Sequence, residues 1–325
     1  MRFRVLLYLL FLACASCSSK KDWLAELKSI PHGDQKKLET LFHHMMTGDY
    51  FACTLFGDKP MTFQEFHDDP WKMSSQCMVC PYHHYYLDEG WQTWNKYRSL
   101  FPSEKFIFTK IPSKSGYKFI ILINKEAFEK VFEENRDIFE QALAPSITCQ
   151  QILQDFEAGR KTFSEILNDH EGLVGIVLGY GREGSLFVFR DTILSSQILK
   201  KSLHPLAPPC AHEKLVSKGM QNHIKMREKR LSRHGIKWHQ LASQSEDVED
   251  PYEELNQREQ IAEIFYPAWQ ENFVDVLPPN FFSIKNSEEK EQLSKNYAVA
   301  MQLSRQIFKE KSFLVGFLEQ YCKKE

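Results

Sequence analysis

Beyond its first residues the sequence has no run of 18 consecutive apolar residues. A helix needs roughly 20 to cross a bilayer's hydrocarbon core, so the rest of the chain is expected to be soluble. The sequence also lacks a strong charge of either sign: 41 Lys and Arg stand against 43 Asp and Glu, a formal net charge of -2. That balance argues against nucleic acid as a partner. No serine nucleophile elbow, no zinc-binding helix with two histidines around a glutamate, and no phosphate-binding Walker loop occur, so no motif makes a case for catalysis. No repeat of 20 to 50 residues is visible, which removes solenoids and propellers. What remains is ordinary globular material, 42% hydrophobic and 26% charged over 325 residues, enough for one large domain or two average ones.

The start of the chain is the most informative part. Arg2 and Arg4 precede an apolar run over residues 5–13, which ends at Cys14, Ala15, Ser16 and Cys17. Charged, apolar, small is the order of a cleavable export signal, and the run is too short for a permanent span. Small residues followed by cysteine resemble a bacterial lipobox, in which the cysteine sulfur receives a diacylglyceryl group before cleavage. Cys17 is favoured, with Ala15 and Ser16 before it and Ser18, Ser19, Lys20 and Lys21 after it; Cys14, preceded by Phe11, Leu12 and Ala13, is the alternative. An ordinary secretory signal with incidental cysteines is the bland competitor. A mature lipoprotein carries several acyl chains and is held stably. Removing Arg2 and Arg4 with the leader takes the net charge from -2 to -4.

The organisation expected is therefore a signal over residues 1–16, a membrane tether over 17–33, a mixed helical and β core over 34–242, a polar linker or surface loop over 243–260, and a C-terminal helical segment over 261–325 packing on the core. Pro31 and Gly33 are expected to break any short helix near Trp23. Asp34 can cap a helix carrying Leu38, Leu41, Phe42 and Met45 and ending at Gly48. His43 and His44 sit on that helix about 100° apart, which disfavours both serving one metal. Residues 50–56 favour a strand, and residues 57–60 a turn. Residues 105–111 and 117–123 read as a hairpin around Pro112 and Gly116. Asn124 caps a helix with an apolar stripe through Phe128, Val131, Phe132, Ile138 and Phe139 and a stop at Pro145, and more helix is expected over 150–167. Asn286 with Glu289 reads as a capping box opening one long or two bent C-terminal helices. The fold class expected is α+β, predominantly helical with a small antiparallel sheet.

Three features carry possible chemistry. Cys77 and Cys80, two residues apart, followed by His83 and His84, have the donor types for zinc, yet a second such cysteine pair is missing and Pro81 stands where haem attachment would need histidine. Cys77, Cys80 and His83 are the candidate metal or thiol-redox residues, with a structural disulfide or free thiols as the plain alternative. Gly179, Gly181 and Gly184 match the spacing of a dinucleotide-binding turn, which requires a strand before it and a helix after it. Residues 186–189 prefer strand, so the glycines read instead as close packing and capping of a buried helix. Residues 212–237 hold eight Lys and Arg against Glu213 and Glu228, a face that could meet anionic headgroups but is more simply solvated, with acidic residues following at 246–254.

The stretch Tyr50-Phe51-Ala52-Cys53-Thr54-Leu55-Phe56-Gly57-Asp58-Lys59-Pro60, residues 173–185, and Leu277-Pro278-Pro279-Asn280-Phe281-Phe282 resemble, in the same order, an uncharacterised family of chlamydial proteins. The resemblance implies a lineage and an envelope setting. It transfers no reaction, cofactor or site residue, and Cys77 and Cys80 fall outside its pattern. The functional expectation is a non-enzymatic lipoprotein of the bacterial envelope, facing the periplasm, without a cofactor, whose body binds or scaffolds another envelope component. The rival is a metal or thiol-redox protein centred on Cys77, Cys80 and His83. With Cys17 as the first mature residue, Cys53, Cys77, Cys80, Cys149, Cys210 and Cys322 remain, and six cysteines allow 15 pairings.

Overall fold

The structure is a computed structural model describing residues 22–48, 50–67, 81–113, 117–202, 262–265, 281–284 and 286–323. The basic stretch 212–237 and the acidic stretch 246–254 lie outside the described residues. Helix α1 (Trp23–Ser29) opens the body, followed by α2 (His32–Gly48), α3 (Phe51–Phe56), β1 (Met61–His67) and α4 (Pro81–Tyr97). The hairpin β2 (Phe106–Pro112) and β3 (Tyr117–Asn124) leads into α5 (Lys125–Glu134), α6 (Arg136–Ala142), α7 (Cys149–Ala158), α8 (Phe163–Ile166), α9 (Glu171–Val177) and α10 (Arg182–Ser202). A two-stranded ribbon, β4 (Ala262–Phe265) with β5 (Phe281–Ile284), precedes α11 (Glu288–Glu310) and α12 (Phe313–Tyr321). The fold is α+β and predominantly helical, with a small antiparallel sheet.

That sheet has the order β1-β3-β2, both pairs antiparallel, with Ile121 opposite Phe63 on one side and Thr109 on the other. Because side chains alternate along a strand, the unbroken apolar run of β3 feeds two cores. Ile120 and Leu122 join Phe106 and Phe108 against α1 to α4, α11 and α12. Ile121 and Ile123 join Met61, Ile107 and Ile111 against α5 to α9. The first core is aromatic at its centre: Phe42 stacks on Phe317 at 3.9 Å between centroids, and Trp94 meets Phe42 edge-on at 5.6 Å. Such pairs add about 1 kcal/mol each beyond the area they bury.

Several local expectations change. The sequence reading ends the tether at residue 33, but residues 23–29 form α1. Asp22 caps it, accepting from Leu24 N at 3.1 Å, and Leu27 and Ile30 are buried at 6% and 3% exposure. Gln35 clamps its far end, Nε2 donating to the carbonyls of Leu27 and Ile30. The capping box expected of Asn286 and Glu289 is not formed. Ser287 is the cap, accepting from Lys290 N at 3.2 Å, Asn286 takes a positive φ of 58°, and Glu289 points elsewhere. Asn124 does cap α5, and the second half of the chain's end is two helices broken at Lys311, as the sequence allows. Residues 50–56 are helix instead of strand, with all six residues of α3 buried. Residues 186–189 likewise belong to α10 instead of a strand.

Candidate functional site

Among the features with chemical potential, the described residues bring one group together: the turn after α3, the elbow between α9 and α10, and the first turns of α11. Here two stretches distant in sequence, residues 50–60 and 173–185, meet. Lys59, 1% exposed, lies at the centre. Its Nζ donates to Met61 O at 2.8 Å and to Leu178 O, and stands 5.1 Å from the centroid of the Tyr180 ring. Among the described residues no carboxylate is bonded to it, and burial pushes its pKa down to about 7. Burial pushes the neighbouring Cys53 thiol up to about 12 and the Tyr297 phenol well above its ordinary value. Tyr297 donates its hydroxyl to Gly179 O, 118 residues away. Lys59 and Tyr297 are thus occupied as ties between elements.

The elbow explains Gly179 and Gly181. Gly179 and Gly181 hold φ of 73° and 82°, the left-handed region that glycine enters without penalty. A Cβ at Gly179 would lie 2.7 Å from Tyr297 Oη and 2.8 Å from Pro60 Cδ. A Cβ at Gly175 would lie 2.5 Å from Ser185 Oγ, which is how α9 and α10 pack closely. The element before the turn is a helix, so the strand-turn-helix frame of a dinucleotide fold is missing, although the element after it is helical. The amino end of α10, where a pyrophosphate would sit, is taken by the protein's own carboxylate. Glu289 accepts from Arg182 N at 2.6 Å, Glu183 N at 2.9 Å and Gly184 N at 3.3 Å. Burial raises its pKa, and those backbone N–H bonds pull it back. Arg182 itself turns to Asp137, 2.8 Å and 2.7 Å in a two-pronged pair that holds the Asp137 carboxyl down at about 2.

Beside the elbow lies a cleft of about 740 Å³. Its walls are α5 (Glu126, Ala127, Lys130, Val131, Glu134) and α11 (Glu289, Gln292, Leu293, Asn296, Tyr297), with Gly57, Asp58 and Pro60 at one end. The size falls within the roughly 300–1,000 Å³ of ligand sites, and apolar side chains alternate there with charged and amide groups. Lys59 lies beneath and does not line it.

Of the residues singled out in the sequence, His83 falls in the first turn of α4, which begins directly after Cys80. Cys77, Cys80, Cys14 and Cys17 lie outside the described residues. The His43 and His44 rings meet edge-on at 5.6 Å, contrary to the parting expected from helix geometry, and each also packs on an aromatic ring: His43 meets Phe313 edge-on at 4.7 Å, and His44 stacks on Tyr86 at 6.2 Å. Cys53, Cys149 and Cys322 carry free thiols. Among the described residues no group of three metal-ligating side chains is gathered, and no helix is long and apolar enough to cross a membrane. The roles of Lys59, Glu289 and Tyr297 were not visible in the sequence, since each rests on a contact more than a hundred residues away. A turn lysine among buried neighbours was the one available hint. No protein-family model, curated protein or solved structure matches this chain.

Proposed function

We propose that the chain is a lipid-anchored protein of the bacterial envelope whose folded body binds or scaffolds a second envelope component. The observation that carries the proposal is the order of the first residues: two arginines, a short apolar run, then small residues and cysteine. Support comes from a cleft of ligand-binding size beside the α9–α10 elbow. The resemblance to the chlamydial family belongs to the same proposal. Two of its three stretches, residues 50–60 and 173–185, are joined through Lys59 and Leu178 at that elbow. Palmitate labelling of the chain made in a bacterial host tests it: the label should follow the protein into the membrane fraction, and unlabelled protein in the soluble fraction would count against it.

A second reading keeps Cys77, Cys80 and His83 as a metal or thiol-redox centre. It is favoured by the start of α4 at Pro81, which sets His83 in that helix's first turn. Zinc analysis of the purified chain, with thiol titration of wild type against Cys77→Ser and Cys80→Ser, separates the readings. No bound zinc and no titratable pair would remove the second.

A further inference from the structure

We infer that the α1 end of the body is a lipid-contacting surface, so that the protein rests on the bilayer through Trp23 and Leu24 and does not hang from a free tether; this rests on the acylation proposed above. Five peptide steps separate Cys17 from Asp22, and a fully extended chain spans at most about 3.6 Å per step, so the Asp22 Cα lies within about 18 Å of the Cα of the acylated cysteine. With Cys14 as the acylated residue the limit is about 29 Å. Helix α1 cannot absorb motion, because Leu27 and Ile30 are buried in the aromatic core and Gln35 Nε2 grips its last carbonyls at 3.2 and 2.8 Å. The anchor thus fixes which end of the body faces lipid.

The chemistry of that end suits an interface. Leu24 is exposed at 41%, Trp23 is half-buried, and Ala25 is exposed beside them. Lys28 is exposed one turn on from Leu24, the half-buried Glu26 lies between them in sequence, and Lys20 and Lys21 precede the helix in sequence. Asp22 is committed to capping the helix, accepting from Leu24 N and Ala25 N. An aromatic ring and a leucine at headgroup depth, flanked by lysines, are what an interfacial segment over anionic lipid requires.

The test uses the acylated, full-length chain in vesicles of phosphatidylethanolamine and phosphatidylglycerol containing a lipid with a diazirine near its headgroup. Irradiation followed by peptide mapping should place cross-links on residues 23–30. Leu24→Glu should lower them about tenfold, the scale of losing one partly buried leucine, while intact mass still shows the acyl group. Leu24 is exposed, so the variant should unfold at the wild-type temperature. Acylated protein whose cross-links fall elsewhere, or are unchanged by Leu24→Glu, overturns the inference alone. Protein without an acyl group overturns the anchoring proposal and this inference with it.

Discussion

The carboxylate of Glu289, in the first turn of α11, caps a helix that begins at Arg182, with Oε1 2.6 Å from the Arg182 nitrogen. The same device recurs at the other end of the body, where Glu39 accepts from Phe313 N and Leu314 N at 2.8 Å each. In both cases a side chain remote in sequence satisfies backbone donors that the helix itself leaves open. These caps add to the core packing of Phe308, Phe317 and Tyr321 in joining the C-terminal helices to the rest.

Replacing Glu289 should therefore cost stability out of proportion to its place on a surface helix. Glu289→Ala leaves three N–H groups at a half-buried helix end and should cost about 2 kcal/mol, and Glu289→Gln, which keeps an acceptor oxygen, about 1 kcal/mol. Urea denaturation of the two variants measures both. Variants as stable as wild type would mean water replaces the carboxylate without loss.

Lys59 makes stability depend on pH. Its folded pKa is pushed down to about 7 by burial, whereas in the unfolded chain it titrates near 10.5. Between those values the unfolded state binds more protons, so stability rises with pH from about 7 upward, and the cost of burying the charge is fully present below that. The gain from pH 7 to 9 should approach about 2 kcal/mol. Lys59→Met should remove this rise, read as the difference between the two proteins' denaturation midpoints across that range. Parallel curves would show that Lys59 is not the titrating group.

The glycines of the elbow should not tolerate a side chain. Gly179→Ala combines a positive φ with contacts to Tyr297 and Pro60, and should cost more than about 2 kcal/mol. Gly33 is the control. It lies in α2 with open space around it, so Gly33→Ala should be neutral or stabilise by up to about 1 kcal/mol. Thermal unfolding distinguishes the two outcomes.

Cys53 and Cys149 are buried and free, with thiols pushed up to about 12 by burial. Maleimide should leave both unlabelled in the native protein and label them in denaturant. Native labelling of Cys53 would mean that α3 opens.

Much of the fold was legible in the sequence where local signals and tertiary packing agree. The β2–β3 hairpin and the Asn124 cap announce themselves through turn residues or caps, whereas the sequence leaves open whether the C-terminal stretch is one helix or the two that meet at Lys311. Residues 50–56 did not, because a short apolar and aromatic run has no period to distinguish strand from helix when all six residues from Phe51 to Phe56 are buried. Residues 186–189 failed for a related reason: their apolar character serves a helix fixed at its start by Glu289, more than a hundred residues away. Strand β1 was hidden behind the turn at residues 57–60, and its alternation of Met61 and Phe63 with Thr62 and Gln64 is the signal that would have found it. For the candidate site, the glycine spacing was read as packing and capping, and the structure agrees. The partners that explain it, Lys59, Glu289 and Tyr297, have no local signature.

Intact mass of the mature protein decides whether its amino terminus bears a lipid anchor. Wild type and Cys14→Ser should each carry a diacylglyceryl-modified amino-terminal Cys17, and Cys17→Ser should lose the added mass. If instead the mature chain carries no acyl mass, or acylation survives replacement of both cysteines, the protein is not the lipoprotein described here.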